Sequence, residues 1–255
     1  MDGSAPAAPL RELPTDMAER LIVALDLPKV EEAREMAERL DGVVSFFKIG
    51  MWLFCAPGAD RLIDDLVAKG KNVFLDYKMY DIGETVKEGV ARVRERGVKF
   101  VTIHGDPRIM QAAVEGKGGD TRLKLKAVTV LTSLNDADLR EMGYNHTAQE
   151  LVELRVKQAA QYGVDGVIAS GADDPNEMRR RANAPGLLIT TPGVRRAGGG
   201  VDDHRRPATP AQTIARRADY IVVGRPIIRA PDPAAEAAEI IEDMKRGAAN
   251  SSSSS

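Results

Sequence analysis

From residue 21 onward, short and nearly continuous apolar runs alternate with longer stretches whose apolar positions recur at helical spacing. The runs cover residues 21–26, 43–50, 72–78, 100–105, 124–132, 166–170, 187–192 and 220–224. They lack the in–out alternation of a half-solvated sheet, so they read as parallel strands covered on both faces. The helical stretches cover residues 29–40, 59–68, 85–96, 106–115, 148–162, 173–181, 209–217 and 233–245. Val30, Ala33, Met36, Ala37 and Leu40 make the apolar stripe of the first, which follows Pro28. Gly70, Gly97 and Gly163 stand where the second, third and fifth should stop. Eight βα beats in ~230 residues close most economically into a single (β/α)8 TIM barrel. A doubly wound open sheet shares the local pattern. It would be expected to carry a glycine-rich turn after the first strand, where this chain has Asp26-Leu27-Pro28.

The organisation expected is therefore an N-terminal extension over residues 1–20, a barrel over residues 21–246, and a disordered serine-rich tail over residues 247–255. No window approaches ~18 uninterrupted apolar residues, and the first twenty lack an apolar stretch of signal-peptide type. The reading is a cytoplasmic protein with no membrane partner. A formal net charge of −2 and an aromatic content of 4% argue against nucleic acid, which calls for a basic surface and stacking platforms. The one cysteine, Cys55, excludes an internal disulfide, and beside Trp52, Leu53 and Phe54 it reads as a packed thiol.

Charge is placed unevenly along these beats. Asp26, Lys48, Asp76 with Lys78, and His104 fall at the ends of the first four strands, and Thr132 and Ser133 at the end of the fifth. In a (β/α)8 barrel those ends converge on one mouth, where such folds carry their chemistry. After the seventh strand, Pro192-Gly193-Val194-Arg195-Arg196 leads through three glycines to Asp203-His204-Arg205-Arg206. A long basic, glycine-rich loop can bring backbone N–H groups and guanidinium forks to a phosphate. Gly224-Arg225 ends the eighth strand at the matching part of the rim, a common phosphate position in barrels of this kind.

Lys48, Asp76, Lys78 and Asp81 alternate in sign, so each carboxylate can be held ionised by a lysine and each lysine kept protonated by a carboxylate. Such an array would repel a substrate carboxylate, stabilise the carbanion left when carbon dioxide departs, and supply its proton. A Schiff-base role for Lys78 would need a neutral amine, which two neighbouring carboxylates oppose.

Taken together, these residues resemble the orotidine 5′-phosphate decarboxylase family over nearly the whole chain from Leu21 to about Lys245. The resemblance rests on Ile22-Val23-Ala24-Leu25-Asp26, Phe47-Lys48-Ile49-Gly50, and Asp76-x-Lys78-x-x-Asp81-Ile82-x-x-Thr85. It rests further on Val128-Thr129-Val130-Leu131-Thr132-Ser133, Thr191-Pro192-Gly193-Val194-Arg195 and Val223-Gly224-Arg225-Pro226. It implies decarboxylation of orotidine 5′-phosphate to uridine 5′-phosphate without cofactor or metal. Lys78 would be the proton donor, with Lys48, Asp76 and Asp81 completing the array. Asp26 and Lys48 would touch the ribose, Thr132 and Ser133 the pyrimidine, with Ile82, Thr85 and Pro192 also in the substrate site. Arg195, Gly224 and Arg225 would grip the phosphate. Asp81 to Thr85 would reach into a neighbouring subunit's site, implying a homodimer. Two positions depart from the family pattern: His204 stands where a glutamine is usual, and the turn Gly105-Asp106-Pro107 is short, leaving the role of His104 open. A related reading within the same barrel group is a magnesium-dependent sugar-phosphate decarboxylase or synthase, and a third is a catalytically silent nucleotide-binding barrel.

Overall fold

A computed structural model describes residues 11–171, 173–196 and 208–252. Eight parallel strands close in sequence order: β1 (Leu21–Ala24), β2 (Phe46–Gly50), β3 (Asn72–Met79), β4 (Phe100–His104), β5 (Lys124–Val128), β6 (Gly166–Ile168), β7 (Leu188–Pro192) and β8 (Tyr220–Val223). β1 pairs with β2 on one side and with β8 on the other, Leu21 opposite Ile221. The (β/α)8 barrel read from the pattern is the fold.

Each run of apolar residues serves two cores. Ile22, Ala24, Phe46, Phe74, Phe100, Leu188, Tyr220 and Val222 form a cluster of their own. Their sequence neighbours Val23, Phe47, Val73, Val101, Ile189 and Ile221 belong to the larger cluster shared with the helices. With a side-chain period of two, both faces of every strand must be apolar, which is why the runs are continuous.

The principal helices are α1 (Val30–Arg39), α3 (Ala59–Ala68), α4 (Gly83–Glu95), α5 (Pro107–Lys117), α7 (Ala148–Gln161), α8 (Pro175–Ala182), α9 (Pro210–Ala215) and α11 (Pro233–Ser252). Their starts obey capping chemistry. The Asp106 side chain accepts from the Arg108 N–H ahead of Pro107, and Thr147 with Glu150 makes a reciprocal capping box. Three short helices, α2 (Met51–Phe54), α6 (Asp136–Glu141) and α10 (Arg225–Ile228), were not foreseen, since four to six residues cannot establish a 3.6-residue period. None of the described helices is long and apolar enough to cross a membrane.

Two expectations are corrected. α11 runs on to Ser252, through residues expected to begin a disordered tail: Gly247 lies tight against the backbone of Ala211, and Ala248 packs on the core. Residues 11–20 pack against the barrel, a point the sequence left open. Leu13 packs against the inner cluster, Arg11 pairs with Asp219 at 3.2 Å, and Arg20 donates to the carbonyls of Asp219 and Ala218 at 2.7 and 2.9 Å. Cys55 is exposed, because α2 buries only Leu53 and turns Trp52, Phe54 and the residue after it outward.

Candidate active site

Asp26, Lys48, Asp76 and Lys78 meet at the C-terminal mouth of the barrel. Lys48 Nζ lies 3.1 Å from Asp26 Oδ1 and 3.6 Å from Asp76 Oδ2, and Lys78 Nζ lies 2.9 Å from Asp76 Oδ1. The four charges thus alternate in space, with Asp76 bridging both lysines. Lys48 is buried to 9% exposure, whereas Lys78 opens to the mouth. Burial by itself would raise the Asp76 pKa. Lys48, Lys78 and the hydrogen bonds from Lys78 and Thr102 outweigh it and hold the carboxyl below its ordinary value.

Two backbone features aim these side chains. β3 shifts register against β4 between Leu75 and Met79, and Lys78 within that irregularity has φ 50°, the left-handed region that non-glycine residues rarely enter. Such strain persists only where surrounding contacts over-determine it, and it concentrates at functional sites. Here the Thr102 hydroxyl accepts from the Lys78 N–H at 2.9 Å and donates to Asp76 Oδ1 at 2.9 Å. Gly50 provides the other adjustment: a Cβ there would lie 3.1 Å from both Asp26 Oδ1 and Lys48 Nζ, crowding that ion pair. Sequence reasoning passed over Thr102. Its signal was a lone hydroxyl in the apolar run of β4, opposite Lys126 and two residues before His104.

Beside the charges lies a cavity of about 180 Å³ lined by Phe74, Val128, Val130, Leu131, Ile168, Val222, Pro192 and Thr132 as well as by Lys48, Asp76 and Lys78. One wall is therefore ionic and the others apolar, the form of a site that must orient a flat, partly polar ligand. Thr132 lines the cavity from the loop four residues beyond the end of β5, and Ser133 is exposed beside it.

Not every candidate joins this group. Asp81 is exposed and accepts a hydrogen bond from the Ile82 N–H at 2.7 Å, at the start of α4 rather than in the array. Ile82 is 73% exposed and Thr85 is exposed, so the Asp81–Thr85 stretch faces away from its own chain. Within one chain, Asp26 occupies the fourth place expected for Asp81. Arg195 is buried after β7, and its N–H donates to the Ala208 carbonyl at 3.2 Å. Gly224 precedes α10, where Arg225 is the first residue, and sits beside Ala24 and Asp26. His204 lies outside the described residues. His104 stacks against Tyr80 with ring centroids 4.4 Å apart, and burial, then Arg155, hold its imidazole below the ordinary value.

The chain is similar to known proteins over most of its length. The sequence pattern described as "Orotidine 5′-phosphate decarboxylase / HUMPS family" matches residues 19–240. The orotidine 5′-phosphate decarboxylase of Caulobacter vibrioides (strain NA1000 / CB15N) is 48% identical over 227 residues, 88% of this chain and 97% of that protein. The enzyme of the same name from Afipia carboxidovorans is 46% identical over 235 residues, 92% of this chain and 98% of its own. The crystal structure of orotidine 5′-phosphate decarboxylase from Lactobacillus acidophilus superposes with a TM-score of 0.75 at 34% identity, covering 89% of this chain and 99% of that one.

Proposed function

The chain belongs to the orotidine 5′-phosphate decarboxylase / HUMPS family, and we propose that it is a carboxy-lyase converting orotidine 5′-phosphate to uridine 5′-phosphate and carbon dioxide. The observation that carries this reading is the Asp26–Lys48–Asp76–Lys78 array set against an apolar-walled cavity. Loss of carbon dioxide from C6 of the pyrimidine leaves an electron pair in the ring plane, with no adjacent carbonyl to accept it. The stabilisation must then come from preorganised charge. Asp76, ionised and half-buried between two lysines, disfavours a carboxylate placed beside it, and this repulsion is relieved as carbon dioxide leaves. The Lys78 ammonium then faces the developing negative charge and transfers a proton to C6, forming the C–H bond of the product. Lys48 helps hold Asp76 ionised and positions Asp26 for the ribose hydroxyls. Thr132 and Ser133 face the pyrimidine edge, and Arg195 with Gly224 and Arg225 bind the phosphate.

The same reading gives Asp81, Ile82 and Thr85 to a neighbouring subunit's site in a homodimer. Their exposure supports it, as does the collection of exposed Met51, Trp52, Tyr80 and Ile82 after the ends of β2 and β3. Mixing a Lys78→Ala chain with an Asp81→Asn chain tests the sharing: mixed dimers regain one intact site, whereas independent sites recover nothing.

Loss of pyrimidine absorbance on adding orotidine 5′-phosphate tests the reaction itself. The proposal expects turnover that chelator leaves unchanged. No turnover in either condition overturns it, and turnover abolished by chelator would favour the magnesium-dependent reading.

A further inference from the structure

Arg155 projects from α7 and is 8% exposed. One terminal nitrogen, Nη1, donates to the carbonyl of Thr129. The other, Nη2, donates to the Tyr144 hydroxyl at 3.2 Å, and the guanidinium carbon lies 5.6 Å from the centre of the Tyr144 ring. Among the described residues no carboxylate pairs with it. Burying a guanidinium without a counter-charge is costly, and a leucine or methionine would fill the same space without that cost. What the guanidinium adds is a rigid planar fork that reaches two acceptors at once.

Those two acceptors are the ends of one excursion from the barrel. Thr129 follows the last residue of β5, is 1% exposed, and donates from its hydroxyl to the Ile168 carbonyl at 3.1 Å. Beyond it come Val130, Leu131 and Thr132, three consecutive residues lining the cavity. Tyr144 ends the excursion after α6, its N–H donating to the Leu139 carbonyl at 2.9 Å. Gly105, at the end of β4, makes way for the clasp: a Cβ there would lie 2.4 Å from the Val128 carbonyl oxygen and 3.1 Å from Arg155 Cδ.

We infer that Arg155 is a positioning residue for substrate recognition: by clasping Thr129 to Tyr144 it fixes the Val130–Thr132 wall against which the base is held. The inference rests on the proposed nucleotide substrate, since it assigns that wall to the base and leaves the phosphate to Arg225. Arg155 itself touches no substrate.

The test compares two probes, uridine 5′-phosphate and ribose 5-phosphate, which share sugar and phosphate but differ in the base. Dissociation constants are measured for wild type, Arg155→Met, Arg155→Lys and Tyr144→Phe, with a thermal melt of each. A displaced wall should cost Arg155→Met about tenfold or more for uridine 5′-phosphate and less than about twofold for ribose 5-phosphate. Arg155→Lys should not restore the loss, because a compact ammonium on a flexible stem lacks the rigid planar fork that holds both acceptors. Tyr144→Phe, which keeps the ring and removes one acceptor, should show a smaller loss of the same selectivity. It carries the test if Arg155→Met fails to fold. Equal losses for both probes, or a lower melting temperature with unchanged affinities, would overturn the inference and leave Arg155 a structural residue. If wild type itself fails to prefer uridine 5′-phosphate over ribose 5-phosphate, the nucleotide reading falls and the inference falls with it.

Discussion

Asp76 receives a 2.9 Å hydrogen bond from Thr102, a residue 26 positions later on the adjacent strand, through a hydroxyl that is wholly buried. The same oxygen accepts from the Lys78 backbone, so one atom holds both the carboxylate and the turn that presents the ammonium. Thr102→Val keeps the shape and removes both bonds. Its kcat/KM should fall by about 10–100-fold, the order expected when a reacting group is misplaced by a fraction of an ångström. The loss should fall mainly on kcat. Wild-type kcat in this variant would mean that β3 holds its own geometry.

Lys78→Ala removes the proposed proton donor and leaves Asp76 with one lysine instead of two. The loss in kcat/KM should exceed the ~10²–10⁴ of a single general acid, because electrostatic balance goes with it. Retention of a tenth of wild-type activity would remove Lys78 from the chemistry.

Arg225→Ala should raise KM for the phosphorylated substrate more than for the unphosphorylated nucleoside, since the contact proposed for it is to the phosphate. A loss of about 1.5–3 kcal/mol is the order for a hydrogen bond to a charged group. Equal losses with both substrates would place Arg225 elsewhere.

Lys126 lies in the barrel interior with its side chain fully buried, 4.3 Å over the Phe100 ring and 5.4 Å from that of Tyr220, and its Nζ has no hydrogen-bond partner among the described residues. Burial pushes its pKa down to about 7, against partial support from Asp219 and Asp165. An unfolded chain keeps this lysine protonated up to about pH 10.4. Between those values the unfolded state binds the extra proton, so this group's contribution to stability grows as pH rises and is lost as pH falls through 7. Lys126→Met should flatten that slope and be more stable than wild type below pH 7 by about 1–3 kcal/mol. Denaturant melts of both proteins from pH 6 to 10 measure the difference, and parallel curves would show that the amine stays protonated inside.

Asp219 is fully buried, paired with Arg179 and Arg11, and accepts the Ile189 N–H at 2.6 Å. Asp219→Ala strands buried Arg179 without its anion and should cost about 3–5 kcal/mol. A melting shift no larger than that of an exposed control such as Glu141→Ala would show that the charge is solvated.

The strands were legible because both their faces are apolar and the runs, such as Tyr220 to Val223, recur between helical stretches. The mouth was legible because Asp26, Lys48 and Asp76 are charges at the ends of such runs. Their ion pairs follow from strand register, Ala24 opposite Lys48 and Gly50 opposite Asp76. Thr102 and Arg155 were not legible, since a threonine in a strand and an arginine in a helix are ordinary locally. Their meaning lies in partners 26 residues away, which only the closed barrel brings near. Asp81 was legible only in part: its spacing sets it near Lys78, while the turn into α4 carries it outward, as a role across a subunit interface would require.

Closure of this barrel has a consequence for its synthesis. β1 takes one neighbour from β2, some 25 residues on, and the other from β8, some 200 residues on, as in Leu21 with Ile221. Arg20 likewise finds its carbonyl acceptors only at Ala218 and Asp219. While the ribosome is still translating the middle of the chain, one edge of β1 has no mate and its hydrogen-bonding groups stand open to foreign strands. Pairings this distant in sequence also form slowly. A nascent chain cut short before residue 220 should therefore be captured by chaperones and aggregate. A chain completed through β8 should leave them, the last strand serving as the latch on the first.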